Sequence, residues 1–144
     1  MRDPAADALL FYYFTAAQNN NIDLHIKADL PKGLPVAGIP FYTILGNLLE
    51  NALEACQRQK TGERYIKLNL KWQYEALYMI LTNTFDGRIQ QYHGKYLSRK
   101  HEGTGIGLQS VQEIVKQLHG TVTFTHENHT FQAIVILPSP EEKI

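Results

Sequence analysis

The sequence predicts an α/β (α+β) two-layer sandwich: a mixed five-stranded sheet with three helices on one face. Three observations lead there. Apolar residues recur at helical spacing in three stretches, and strict alternation marks half-buried strands. The helices are too few and too unevenly spaced for a doubly wound parallel sheet. The order reads helix, strand, helix, strand, strand, long loop, helix, strand, strand over 144 residues, the length of one domain with a short extra arm.

The first helix opens at Asp3-Pro4, an N-cap followed by a proline suited to the first helical position. Leu9, Leu10, Tyr13, Phe14 and Ala17 form its face, and Asn19-Asn20-Asn21 stop it. Ile22, Leu24, Ile26 and Ala28 then alternate with Asp23, His25 and Lys27, a half-buried strand. Pro31 to Pro40 reads as a loop containing Pro35 and Gly38. From Phe41 the period is helical again, with Leu45, Leu48, Ala52 and Ala55 on one face as far as Gln59. Two strands follow. The first buries Ile66, Leu68, Leu70 and Trp72, and the second runs from Leu77 to Asn83. Residues 84–102 are polar and aperiodic, and a loop this long in a small domain is usually functional or mobile. A third helix spans Gly107 to His119, with Gly120 as its C-terminal stop. Thr121–His126 and Thr130–Leu137 close the chain as a hairpin around Glu127-Asn128-His129.

Composition excludes several classes. Hydrophobic residues make up 44% and charged residues 19%, a globular balance. Lysine plus arginine and aspartate plus glutamate are both 14, so bulk charge recruits neither nucleic acid nor an anionic membrane. The longest apolar run, Ala8 to Ala17 broken by Thr15, is about half of the ~20 residues a bilayer span needs. The N-terminus lacks a secretory signal pattern. The single cysteine, Cys56, forms no internal disulfide and fits a reducing, cytoplasmic setting. It reads as a core thiol, and Trp72 as core. The six histidines are scattered without metal-ligand spacing.

Two stretches carry chemistry. In Asn47-Leu48-Leu49-Glu50-Asn51-Ala52-Leu53-Glu54-Ala55, the residues Asn47, Asn51 and Glu54 stand at i, i+4 and i+7 and line one stripe beside the core face. Asparagine is a weak helix former, so two in register beside buried leucines need a reason. Backbone hydrogen bonding or solvent exposure is one; a polar site is the other. The second stretch is Gly103-Thr104-Gly105-Ile106-Gly107-Leu108, running into a helix. Alternating glycines before a helix N-terminus expose N–H groups to a phosphate. An aperiodic loop precedes it, not a strand, so the dinucleotide-fold pattern fails, and no Gly-Lys-Ser/Thr follows for a Walker loop.

Together the two stretches resemble the N box and second glycine box of the gyrase, chaperone, histidine-kinase and MutL (GHKL) superfamily, the Bergerat ATP-binding fold. The resemblance covers residues 22–137. The form NLLENALEA is similar to that of Agr-like bacterial sensor histidine kinases, and Glu54 stands where many kinases have a lysine. The resemblance implies the catalytic ATP-binding domain of a sensor kinase that passes the ATP γ-phosphoryl group to a histidine on a separate helical hairpin. Residues 1–21 would be the end of the dimerisation helix and its linker. Residues 22–144 would form the catalytic domain, with a lid at 84–102. Asn51 would ligate Mg²⁺ and Asn47 would lie near the phosphates, both in the catalytic centre. ATP would also meet Asn83, Lys95, Arg99, Lys100, Gly103, Thr104, Gly105, Ile106, Gly107 and Leu108.

Asn83 departs from the broad family, whose first glycine box begins with an aspartate that takes the adenine amino group. Unless Thr82 or Thr84 locks its rotamer, an amide there discriminates less between ATP and GTP. The implied partners are the histidine-bearing hairpin and a response regulator, with no nucleic acid. The fragment would be monomeric or weakly dimeric, and cytoplasmic within a membrane-anchored sensor. Two other classes stay open: a degenerate, pseudokinase-like protein-interaction domain, and an anti-sigma-type serine kinase on the same fold.

Overall fold

A computed structural model describes residues 3–36, 38–87, 90–92, 95–97 and 106–140. Three helices, α1 (Pro4–Asn19), α2 (Ile39–Arg58) and α3 (Ile106–Gln117), cover one face of a five-stranded sheet. Its strands are β1 (Asp23–Asp29), β2 (Tyr65–Gln73), β3 (Ala76–Thr84), β6 (Thr121–Glu127) and β7 (Thr130–Pro138), in the order β1-β2-β3-β7-β6. β1 runs parallel to β2, with α2 as the crossover, and every other neighbour is antiparallel, so the sheet is mixed as expected. A separate ribbon of β4 (Gln90–Tyr92) and β5 (Lys95–Leu97) lies within the stretch expected to be loop. Its three-residue strands are too short to leave a readable alternation.

The strand register follows from alternation. Leu77, Met79 and Leu81 on β3 pair with Leu137, Val135 and Ala133 on β7 and with Trp72, Leu70 and Leu68 on β2. All nine but the half-buried Trp72 are buried, and together they form the floor on which the helices pack. The β2–β3 hairpin turns on Tyr74 and Glu75, both at positive φ (53° and 57°), which matches the strand twist. α2 sits centrally, burying Phe41, Leu45, Leu48, Leu49, Ala52 and Cys56, with α1 and α3 against it. α1 adds Ala6, Leu10 and Ala17 to the same core. Among the described residues no helix is long and apolar enough to cross a membrane.

The sequence expectations need correction at four boundaries. α2 starts at Ile39, so Pro40 belongs to its first turn, where a missing N–H costs nothing. β1 starts at Asp23; Ile22 is buried just before it, while Ala28 is exposed. α3 starts one residue early, at Ile106, and ends at Gln117. Its stop is a Schellman turn in which His119, not Gly120, takes the left-handed conformation (φ 61°). The His119 N–H reaches the Lys116 carbonyl and the Gly120 N–H the Val115 carbonyl. Gly120 is required for space instead: a Cβ there would stand 2.4 Å from the Ile136 carbonyl oxygen. The end of α1 has the same turn, with Asn21 at φ 57° and the Ile22 N–H on the Ala17 carbonyl.

Candidate functional site

α2 presents three edges above its buried face. Asn47, Asn51 and Glu54 occupy the solvent side, all half-buried. Among the described residues neither Asn47 nor Asn51 makes a side-chain hydrogen bond. The protein thus leaves both half-exposed amides, beside a leucine-rich core, to solvent or a ligand. That is the opposite of the backbone-bonding explanation for asparagines in a helix.

Asn83 is the most informative residue. It lies on the helix-facing side of β3, between Ile66 of β2 and Phe131 of β7, and is 1% exposed. Its Nδ2 donates to the Thr84 carbonyl at 3.0 Å. Its Oδ1 is buried with no partner. The orientation has a plain cause: turning the amide over would set Oδ1 against the Thr84 carbonyl oxygen. Thr84 therefore locks the rotamer, and the Oδ1 of Asn83 is left as an unused buried acceptor. The surroundings are equally fixed. Thr84 Oγ1 accepts from the Tyr65 N–H at 3.1 Å, and the Cys56 thiol of α2 lies 3.4 Å from the Thr84 carbonyl. Cys56 is fully buried, and burial pushes its thiol pKa up, so it is the core thiol expected. Five residues separate it from Asn51, about 7.5 Å along the helix axis at 1.5 Å per residue.

Of the second glycine stretch, Ile106 opens α3, and Gly107 lies in its first turn with open space where a Cβ would be. Leu108 is buried in the core, so its side chain serves packing. Gly103, Thr104 and Gly105 lie outside the described residues, as do Arg99 and Lys100; Lys95 is placed in β5 by its backbone alone. His25, His119, His126 and His129 are exposed, and no metal-binding cluster occurs among the described residues.

Sequence reasoning missed the α1 side of α2. The Asp3 carboxylate caps α1 through the Ala5 and Ala6 N–H groups and also accepts from the Tyr42 hydroxyl of α2. That Tyr42 bond, more than the cap, lowers its pKa. Burial, with the Glu50 carboxylate nearby, pushes the Tyr13 pKa far up. Both pairs join distant positions, 39 residues apart for Asp3 and Tyr42, so no local pattern announces them. Also missed is a cavity of about 840 Å³ beyond the C-terminal end of α2, lined by Gln59, Thr61, Tyr65, Thr84, Phe85 and His129 among others.

Comparison with known proteins gives this geometry its relatives. Residues 37–138 match the GHKL domain family. The chain is 32% identical over 106 residues to the sensor histidine kinase DcuS of Escherichia coli (strain K12), and equally to that of Shigella flexneri. The match covers 70% of this chain and 19% of DcuS, so the chain spans about a fifth of the length of these curated relatives. Solved structures share the fold. The Acinetobacter baumannii histidine kinase AdeS superposes with a TM-score of 0.68 at 14% identity, over 96% of this chain and 64% of that one. The catalytic domain of histidine kinase ThkA gives 0.68 at 18%, over 94% and 91%. Full-length ShkA in complex with AMPPNP gives 0.68 at 16%, over 94% and 29%. The narrower Agr-like assignment rests on the motif alone. The chain belongs to the GHKL domain family, with the fold of histidine kinase catalytic domains.

Proposed function

We propose that the chain is the ATP-binding catalytic domain of a two-component sensor histidine kinase and transfers the γ-phosphoryl group to a histidine on a separate helical hairpin. The observation that carries the reading is the buried, unpartnered Oδ1 of Asn83 at the end of β3. A buried acceptor left unpaired costs ~1–3 kcal/mol and persists where a ligand satisfies it. The residues fit adenine and a hydrated cation: an acceptor for the base amino group, and two neutral amides on α2 for metal and phosphate. Bound Mg-ATP supplies the phosphoryl group and the positive charge that offsets its phosphates.

In this reading Asn83 accepts from the adenine amino group and Asn51 holds Mg²⁺ through its side-chain oxygen, a hard neutral ligand suited to a cation that keeps its waters. Asn47 donates to a phosphate oxygen. An amide there is no general base, so it orients without activating water, which favours transfer to a protein group over hydrolysis. The catalysis is positioning and charge neutralisation. Residues 84–102 act as a lid whose Lys95, Arg99 and Lys100, with the Gly103–Leu108 stretch, meet the phosphates. Residues 1–21 connect to the upstream dimerisation hairpin, and a response regulator takes the phosphoryl group onward. The whole sensor is membrane-anchored with this domain in the cytoplasm, and the fragment alone is monomeric or weakly dimeric.

The test is calorimetric titration with Mg-ATP and Mg-GTP, followed by incubation with γ-labelled ATP. Mg-ATP should bind more tightly than Mg-GTP. The chain should stay unlabelled alone and label a hairpin supplied separately. Absence of Mg-ATP binding, or stable acid-labile label on its own histidines, would sink the proposal.

A further inference from the structure

α1 is apolar on both of its sides. Its sequence, PAADALLFYYFTAAQN, holds one charged residue, Asp7, and no lysine or arginine. At about 100° per residue, Ala6, Leu10 and Ala17 share the side that is buried in the core. Ala8 and Thr15 lie about 180° from them, with Phe11 and Tyr12 on either flank and Asp7 at the margin. Phe11 is 71% exposed and Tyr12 62%. With Phe14 they are three of the five exposed large apolar side chains among the described residues. A surface helix ordinarily turns charged residues outward, and one that is apolar all round is covered on every side. Packing on α2 and β1 covers only the inner side of α1.

We infer that the outer face of α1 is an interface between two copies of this chain, with their α1 helices packed antiparallel. Charge selects the occupant. The face is uncharged, so a charged peptide or an anionic bilayer finds no complement on it, whereas a second copy brings the same apolar surface. Shape agrees. An antiparallel pairing that sets Phe11 against Tyr12 of the second copy also sets Ala8 against Thr15, so the rings fill the room that the small residues leave. The acidic N-terminal ends, with Asp3 and Asp7, then lie far apart and the helix dipoles oppose, whereas a parallel pair would bring like ends together. Area sets the strength. The exposed shares of Phe11 and Tyr12 amount to roughly 200–300 Å² per copy, well short of the ~800 Å² per partner of a standard interface, so the dimer is weak and reversible. α1 precedes the 37–138 segment that matches the GHKL domain, and the contact joins catalytic domains directly, not through an upstream hairpin.

The experiment is sedimentation velocity on the 144-residue chain from about 10 µM to about 1 mM, the range expected of an interface this small. The parent should pass from monomer to dimer across it. Phe11→Lys, at an exposed position, should melt like the parent and weaken self-association at least about tenfold, as loss of a central aromatic contact does. Disulfide trapping reads the arrangement. An equimolar mixture of Ala8→Cys and Thr15→Cys should cross-link on mild oxidation, and neither variant should do so alone. Cys56 is buried and takes no part. A parent that stays monomeric at about 1 mM, or a Phe11→Lys variant that dimerises like the parent, overturns the interface. Cross-linking of Ala8→Cys with itself, or none in the mixture, overturns the antiparallel packing.

Discussion

Replacing Asn83 with leucine should leave the domain about as stable while removing much of its affinity for ATP. Leucine keeps the branched skeleton of asparagine but is bulkier, and the tighter packing at this buried position costs about 1 kcal/mol. The change removes the unpartnered Oδ1, whose burial costs ~1–3 kcal/mol, and forfeits the Nδ2 bond to the Thr84 carbonyl, worth ~1 kcal/mol. That carbonyl is not orphaned, because the Cys56 thiol lies 3.4 Å from it. The net change is about −1 to +1 kcal/mol, and for 144 residues each kcal/mol moves the melting midpoint by roughly 3–4 °C. The midpoint should therefore stay within about 4 °C of the parent's. Affinity for Mg-ATP should fall by ~5–150-fold, the same 1–3 kcal/mol expressed at 1.4 kcal/mol per tenfold. Asn83→Asp behaves differently. Its second oxygen would face the Thr84 carbonyl, so it should destabilise the fold and weaken both nucleotides. The ATP-to-GTP ratio should barely move, because the locked parent amide already turns its Oδ1 acceptor to the position an aspartate oxygen would take. Scanning calorimetry and titration calorimetry on the same preparations read both effects. A leucine variant that binds ATP like the parent, or that melts more than about 5 °C lower, would refute the reasoning.

Three further outcomes are expected. Asn51→Ala should abolish the Mg²⁺-dependent part of nucleotide binding and change stability by less than about 1 kcal/mol, since truncating a half-buried polar residue leaves no core cavity; titrations with and without Mg²⁺ decide it. Gly120→Ala should cost about 2–3 kcal/mol, because its Cβ meets the Ile136 backbone oxygen at 2.4 Å, whereas Gly46→Ala, with 3.8 Å to Leu9, should gain up to about 1 kcal/mol; denaturant midpoints compare the pair. The Asp3 carboxyl is held below its ordinary 3.8 chiefly by the Tyr42 hydroxyl, so its stabilisation is complete above that value and fades as pH falls through the lower folded value. Asp3→Asn should therefore flatten the acid limb of the melting profile below about pH 4 and leave the neutral region's pH slope unchanged.

The legible part of the fold was the part with a repeating cause. Period-two alternation gave all five sheet strands, because each has one face on the helices and one open. The 3.6 period gave α2 and α3 within two residues of their observed starts. The ribbon of β4 and β5 escaped because three residues hold too little alternation to register. Gly120 was placed correctly for the wrong reason. Sequence sees a glycine after a helix, but only the packed structure sees the Ile136 carbonyl it must clear. In the site, Asn47 and Asn51 stood out as weak helix formers in register. The state of Asn83 was undecidable locally, since its competing orientations differ only in whether Thr84 offers its carbonyl.

α2 shows why the unread features gather where they do. One helix serves three neighbours at once, the sheet beneath, α1 and α3, and still carries the amide stripe. The sheet side demands apolar residues at regular spacing, so it is written in the sequence as a pattern. The flanks demand single residues whose meaning depends on what stands opposite, as Tyr42 depends on Asp3. A helix pinned on three sides has little freedom to tilt. That rigidity fixes the backbone from which the two amides project, so a metal and phosphates bound as proposed would need little reorganisation of the helix.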